Sequence, residues 1–222
     1  SDATNTHGKA TAAKQTMTNE SLAKAKDYIA KGGSLAAIKA KKGAQSLKIR
    51  PVNEQSLERW SRTGVVRVLT YAPEQDFSNC VPELAKAYGV KIQIGHTGCP
   101  YHRAQNLLSE GCGVTHLFNA MSGIHHRLEG VALAALNYAE YAEIICDGIH
   151  VNASAFQLAR KTIHSLYSVT DGTAASGMPD GKYKLGNHEV FKANNTVRLS
   201  DGTLAGSAST AEQIVQTLRK FE

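Results

Sequence analysis

What most constrains this chain is an alternation of strand-like and helix-like segments between residues 65 and 170. Val65–Thr70 is rich in β-branched residues. Val81–Tyr88 follows as a helix closed by Gly89, and Val90–Ile94 as a strand that ends at Gly95–His96. The pattern continues with a helix over Tyr101–Glu110 closed by Gly111, a strand over Val114–Phe118 and a small-residue helix over Val131–Ala139. Glu143–Cys146 then reads as a strand running into Asp147–Gly148, Ala153–His164 as a helix and Leu166–Thr170 as a strand before Asp171. Strands separated by a helix pair in parallel, because a parallel partner is reached only through a long crossover. The expected fold class is therefore α/β, as a parallel sheet or a (β/α) barrel.

The ends of the chain read differently. Thr18–Lys31 predicts a helix with a glycine stop at Gly32–Gly33. Beyond Gly177 the spacing shortens: Lys182–Leu185, Glu189–Lys192 and Thr196–Leu199 predict strands joined at Gly186–Asn187 and Asn194–Asn195, which are turn pairs. These strands form a small antiparallel appendage, and Ser209–Phe221 predicts a closing helix. The expected organisation is a (β/α) barrel over residues 1–177, a β segment over 178–207 and a terminal helix over 208–222.

Composition narrows the partners. The chain has 222 residues and a net charge of +6, but residues 1–50 hold ten Lys/Arg against three Asp/Glu and the remainder is close to neutral. The excess sits on alanine-rich helical sequence, at Lys24, Lys26 and Lys31, without interleaved aromatics. That is a solvated helix face, and no nucleic-acid partner is expected. No run of eighteen or more apolar residues is present, so no membrane span is expected. The first residues lack the basic and apolar regions of a signal peptide, so a cytoplasmic location is expected. Cys80, Cys99, Cys112 and Cys146 form no C-x-x-C pair and are expected as free thiols in the interior.

Chemistry gathers where these strands end. His96, His116, Asp147 with His150, and Asp171 each stand at or just after the C-terminal end of an expected strand. In a barrel of parallel strands that end carries the active site. Two histidines on successive strands can share a divalent ion such as zinc, and a carboxylate across the mouth can take a proton from water held there. Any one of these histidines alone is as well read as a hydrogen-bonded structural residue. A second cluster, His125–His126–Arg127, is either a solvated basic loop or an anion pocket, since arginine can grip a phosphate with two hydrogen bonds.

These residues resemble a known family. Gly95–His96–Thr97, Thr115–Met121, His126–Arg127 with Glu129–Gly130, Asp147–Val151, Val169–Asp171 and Asp201–Ser207 are similar, in order, to motifs of the N-acetylglucosamine-6-phosphate deacetylases of the amidohydrolase superfamily. The resemblance implies a metal-dependent (β/α) barrel. It implies that His96 and His116 ligate the divalent metal, zinc or another first-row ion such as iron, and that Asp171 is general base and then general acid. It assigns Asn119, the backbone of Ala120, Arg127 and His150 to the sugar phosphate, and Gln45 to the position where some members polarise the acetyl carbonyl with histidine. A homodimer is implied as well.

The chain also departs from that family. The H-L-E-G-P motif, whose glutamate is a metal ligand, does not occur; the sequence runs from Gly33 through Ala37 to Lys42–Gly43 where the second and third barrel strands belong. Of the H-x-H pair that opens many family barrels, only His7 is present. The barrel is thus expected to be incomplete. Two functions compete: removal of acetate from N-acetylglucosamine 6-phosphate, and binding of sugar phosphate without turnover. A different amide substrate is a third reading, against which Asn119, Arg127 and His150 argue.

Overall fold

The structure is a computed structural model, and it describes residues 54–221. The expected helix over Thr18–Lys31, together with Gln45 and His7, lies outside the described residues. Helix α1 (Glu54–Arg62) leads into strand β1 (Val68–Tyr71), and a short 3-10 turn (Pro73–Gln75) precedes α2 (Val81–Ala87). Then follow β2 (Lys91–Ile94), α3 (Tyr101–Ser109), β3 (Gly113–Val114), α4 (Val131–Tyr138), β4 (Tyr141–Ile144), α5 (Ala153–Thr162) and β5 (Ser165–Ser168). The strands pair in parallel in the order β1-β2-β3-β4-β5. Among the described residues this sheet is open, with β1 and β5 at its edges. The expectation of a barrel is thus met as a parallel α/β sheet, without closure.

One face of the sheet is covered by helices. Leu69, Tyr71, Ile92, Ile94, Val114, Ala142, Ile144 and Leu166 point to it and join a single apolar cluster with Val81, Ala104, Leu108, Ala135 and Phe156. Ala104 on α3 and Ala132, Ala134 and Ala135 on α4 are all fully buried. Side chains this small let the two helices approach each other and the sheet closely. Helix ends are fixed locally: Asn152 Oδ1 accepts the Ala155 N–H at 2.9 Å, and Asp76 takes the N–H groups of Cys80 and Val81 at 3.1 Å each. Cys99 and Cys112 are buried free thiols, and burial pushes both up to about 12, which keeps them protonated and inert at neutral pH.

The appendage is a four-stranded antiparallel sheet, β6 (Gly181–Leu185), β7 (His188–Ala193), β8 (Thr196–Arg198) and β9 (Leu204–Ser207), in sequence order. Its core is small: Ala175, Val190, Val197, Ala205 and Ala208. β9 was not expected as a strand, because Leu204–Ser207 is too short and glycine-rich to show alternation. It ends against the segment after β5, where the Ser207 N–H reaches the Asp171 carbonyl at 2.8 Å and Thr173 N–H reaches the Ser207 carbonyl at 3.1 Å. Helix α6 (Ala211–Phe221) closes the described chain. It starts in a capping box, Thr210 N–H to Gln213 Oε1 and Gln213 N–H to Thr210 Oγ1. None of the helices among the described residues is long and apolar enough to cross a membrane.

Candidate functional site

The polar residues do stand just beyond the C-terminal ends of the parallel strands. His96 lies two residues past β2, His116 two past β3, Asp147 three past β4 and Asp171 three past β5. Strand β3 is shorter than expected. It stops at Val114, and the chain then turns through residues of positive φ: His116 (33°), Phe118 (76°) and Ala120 (51°). Leu117 and Phe118 gave the segment its strand-like hydrophobicity, yet Leu117 serves the core from a turn, with its N–H on the Glu143 carbonyl at 2.7 Å. His96 (48°) and Asp171 (45°) are also left-handed. Such conformations cost free energy in residues with a Cβ and cluster where a site over-determines the backbone.

The two histidines meet. Their Nε2 atoms are 2.8 Å apart, with ring centroids 4.6 Å apart and planes at 81°. His116 is buried, and burial pulls its imidazole below the ordinary histidine range, although the Asp171 charge and the carbonyls of His116 and Asn119 act in the opposite sense. A neutral imidazole is the form that binds metal. His96 is anchored through its neighbour: Thr97, fully buried, donates its hydroxyl to Glu74, which also accepts the Gly98 N–H at 3.1 Å.

Asp147 and His150 form the second well-defined element. The ring Nδ1 of His150 is 2.6 Å from Asp147 Oδ2, while Asp147 Oδ1 accepts the N–H groups of Ile149 and His150 at 2.8 Å each. Burial alone would raise this carboxyl, but the three hydrogen bonds outweigh it and hold Asp147 below the usual aspartate value. His150 is close enough to His116 that a proton on one would oppose a proton on the other.

The loop after His116 is held less tightly. Its base is clamped: Ser122 Oγ accepts the Val131 N–H at 2.8 Å, and a Cβ on Gly130 would stand 2.1 Å from the Gly123 carbonyl oxygen, so only glycine fits there. Between those points residues 123–129 are exposed. The Arg127 side chain is engaged locally, its Nε donating to His126 Nε2 at 2.8 Å, and His125 and His126 stack at 4.6 Å. Asn119 turns back on its own segment, Nδ2 to the Leu117 carbonyl at 3.2 Å. His96, His116 and His150 are thus drawn together with Asp171 by the fold, whereas Arg127 is not brought to them by any contact among the described residues. Glu74, which shapes the His96 loop, was missed by the sequence reading; its only signal was a carboxylate just after a strand.

No family model matches the sequence. The N-acetylglucosamine-6-phosphate deacetylase of Bacillus subtilis is 34% identical over 179 residues, covering 78% of this chain and 45% of that protein. The crystal structure of the N-acetylglucosamine-6-phosphate deacetylase of Thermotoga maritima aligns at a TM-score of 0.74 and 34% identity, over 82% of this chain and 50% of its own. The chain is a relative of these deacetylases. It spans about half the length of the relatives it matches. A variant of the Mycobacterium smegmatis deacetylase, solved in complex with N-acetyl-D-glucosamine-6-phosphate, aligns equally well, at a TM-score of 0.74 and 31% identity over 80% of this chain and 49% of that one.

Deacetylases of this family are metal-dependent, so the donor set can be tested against an ion. Two imidazoles converging through Nε2 suit a first-row ion in kind. Nitrogens sharing one tetrahedral zinc at 2.0–2.1 Å would be about 3.3 Å apart, so the pair must open by roughly half an ångström from its N–H···N contact. Catalytic zinc takes three protein ligands. Among the described residues no third His, Cys, Asp or Glu joins the pair. Those residues therefore provide two of the donors and no complete site.

Proposed function

We propose that the chain is a metal-dependent amide hydrolase that removes acetate from N-acetylglucosamine 6-phosphate and releases glucosamine 6-phosphate. The observation that carries this reading is the convergence of His96 and His116, 2.8 Å apart, at strand ends that also present Asp171. His96 and His116 would hold the ion, zinc or another first-row metal, which when bound polarises the acetyl carbonyl and makes water more acidic. Asp171 accepts the proton of the attacking water and returns it to the departing amine, so acetate and the free amine leave with one water consumed. Its exposed, left-handed position leaves the carboxylate accessible from the mouth. Asn119, the backbone of Ala120, Arg127 and His150 take the sugar phosphate, and Gln45 is assigned to its acetyl carbonyl. The parent architecture is the (β/α) barrel of the family, and the working form is a homodimer in the cytoplasm.

A second reading has its own support. With only two donors among the described residues, the chain would bind sugar phosphate without turning it over. Acetate release by the purified, metal-supplemented chain separates the two. We expect release in the wild type and a loss of about 10²–10⁴-fold in Asp171→Asn, because a positioned acid–base group contributes that much. Asparagine keeps the shape of aspartate and cannot accept the proton. Acetate release at the wild-type rate in the variant would overturn the role of Asp171. A wild type that binds metal and sugar phosphate but releases no acetate would establish the binding reading.

A further inference from the structure

The Asp147–His150 pair has a geometry more determined than binding alone requires. Both side chains are almost sealed, with 5% of His150 and none of Asp147 exposed. Asp147 Oδ1 is consumed by two backbone N–H groups of the following turn, which fixes the plane of the carboxylate and aims Oδ2 at His150 Nδ1. A carboxylate accepts and does not donate, so the ring nitrogen facing it must carry a proton. No hydrogen bond among the described residues reaches the other ring nitrogen, Nε2. In the neutral imidazole it is then an acceptor.

We propose that Asp147 is a positioning residue that locks His150 in the Nδ1–H tautomer, presenting Nε2 as the acceptor for a hydroxyl of the bound sugar. The ligand in this statement rests on the function proposed above; the tautomer does not. Gly148 supplies the turn that makes the lock possible. With φ of 77° it reverses the chain so that the N–H groups of residues 149 and 150 both face Asp147 Oδ1. The lock removes the ambiguity that a free imidazole would have, in which either nitrogen can carry the proton. An acceptor at Nε2 selects a hydroxyl over a phosphate oxygen, because a fully ionised phosphate oxygen has no hydrogen to give.

Asparagine at position 147 reverses the lock without removing the turn. Its Oδ1 can keep both backbone N–H groups, which leaves its Nδ2 facing His150 Nδ1 as a donor. Nδ1 must then be bare and the proton must move to Nε2. The experiment is long-range proton–nitrogen NMR of the histidine-labelled chain above the histidine titration range, with the His150 resonances assigned by their loss in His150→Gln. We expect the wild type to carry its proton on Nδ1 and Asp147→Asn to carry it on Nε2. In calorimetry with N-acetylglucosamine 6-phosphate, we expect Asp147→Asn to bind about tenfold more weakly, the effect of one lost hydrogen bond. A wild-type proton on Nε2, or an unchanged tautomer in the variant, overturns the lock. Equal sugar-phosphate affinities with a switched tautomer overturn the role of Nε2 as the acceptor. A wild type that binds no sugar phosphate refutes the function proposed above, and the spectra still decide the role of Asp147. The wild-type spectrum, once His150 is assigned, decides the tautomer without Asp147→Asn, so a failure of that variant to fold leaves the decision intact.

Discussion

On the helix-covered face of the parallel sheet, Ile94, Val114 and Ile144 are sealed at 0–1% exposure beneath α3, α4 and α5. On the opposite face the neighbouring positions of the same strands hold Thr70, Gln93, Thr115, Glu143 and Tyr167, joined by hydrogen bonds that cross all five strands. Thr70 and Thr115 meet at 2.7 Å, Thr115 donates to Gln93 Oε1 at 2.7 Å, Gln93 Nε2 donates to Tyr167 Oη at 2.8 Å, and Tyr167 reaches Glu143 at 3.4 Å. Parallel sheets usually bury both faces under apolar side chains. Here one face uses non-directional burial, at about 1.5–3 kcal/mol for each large side chain. The other uses directional bonds, at a net 0.5–1.5 kcal/mol or so each. Stability is concentrated on the first face. The second supplies a polar floor below the strand ends that carry His96 and His116.

The largest effect is expected from Ile94→Ala. Ile94 is fully buried against the helices, so its truncation should cost about 2–5 kcal/mol in urea unfolding. A cost near zero would mean that the helix-covered face is not the source of stability.

The opposite face has one place where packing should decide. Gly113 lies under the Tyr141 ring, and a Cβ there would stand 2.1 Å from Cε2 and 2.4 Å from Cζ. The ring is held from both sides, its hydroxyl donating to the Ile92 carbonyl at 3.0 Å and Lys91 Nζ lying 5.6 Å above its centroid. Gly113→Ala should therefore destabilise by up to about 3 kcal/mol through overpacking. Adding Tyr141→Ala should recover part of that loss, since neighbours in contact are not additive. Strict additivity of the two substitutions would show that the clash is relieved elsewhere.

How much of this was legible before the structure follows from the two kinds of interaction. Helices α2 and α3 and their stops were legible because Gly89 and Gly111, at φ of 65° and 92°, end them where the sequence placed a glycine. The strand-end positions of His96, His116, Asp147 and Asp171 were legible from alternation alone. Strand limits were less so. Glu143–Cys146 read as the strand because Ile144, Ile145 and Cys146 are apolar, yet pairing starts at Tyr141 and stops at Ile144. Buried apolar residues continue past the ladder, so hydrophobicity does not mark where hydrogen bonding ends. Helix α1 was not anticipated, since Leu57 is its one buried large apolar side chain. The convergence of His96 with His116 depends on left-handed backbone at residues with side chains, which no local propensity favours.

The smallest effects discriminate within the polar chain itself, and its hydrogen-bond polarity can be worked out. The side-chain amide of Gln93 uses Nε2 on Tyr167, so its Oε1 must accept from Thr115. That commits the Thr115 hydroxyl proton, and Thr70 must be the donor in the Thr70–Thr115 contact. The two threonines are therefore unequal despite a shared bond. Thr115→Val removes the donor to a Gln93 amide that is 1% exposed, leaving a buried acceptor unsatisfied, and should cost about 1–2 kcal/mol. Thr70→Val removes a donor whose own hydroxyl lies on an exposed residue and leaves the Thr115–Gln93 bond intact. It should cost about 0.5 kcal/mol or less, since valine keeps the shape and the strand preference. Equal losses for the two variants would reverse the inferred donor order and make the chain a set of independent contacts. A larger loss for Thr70→Val would show that the hydrogen bonds on this face run the other way, from the Gln93 amide toward β1.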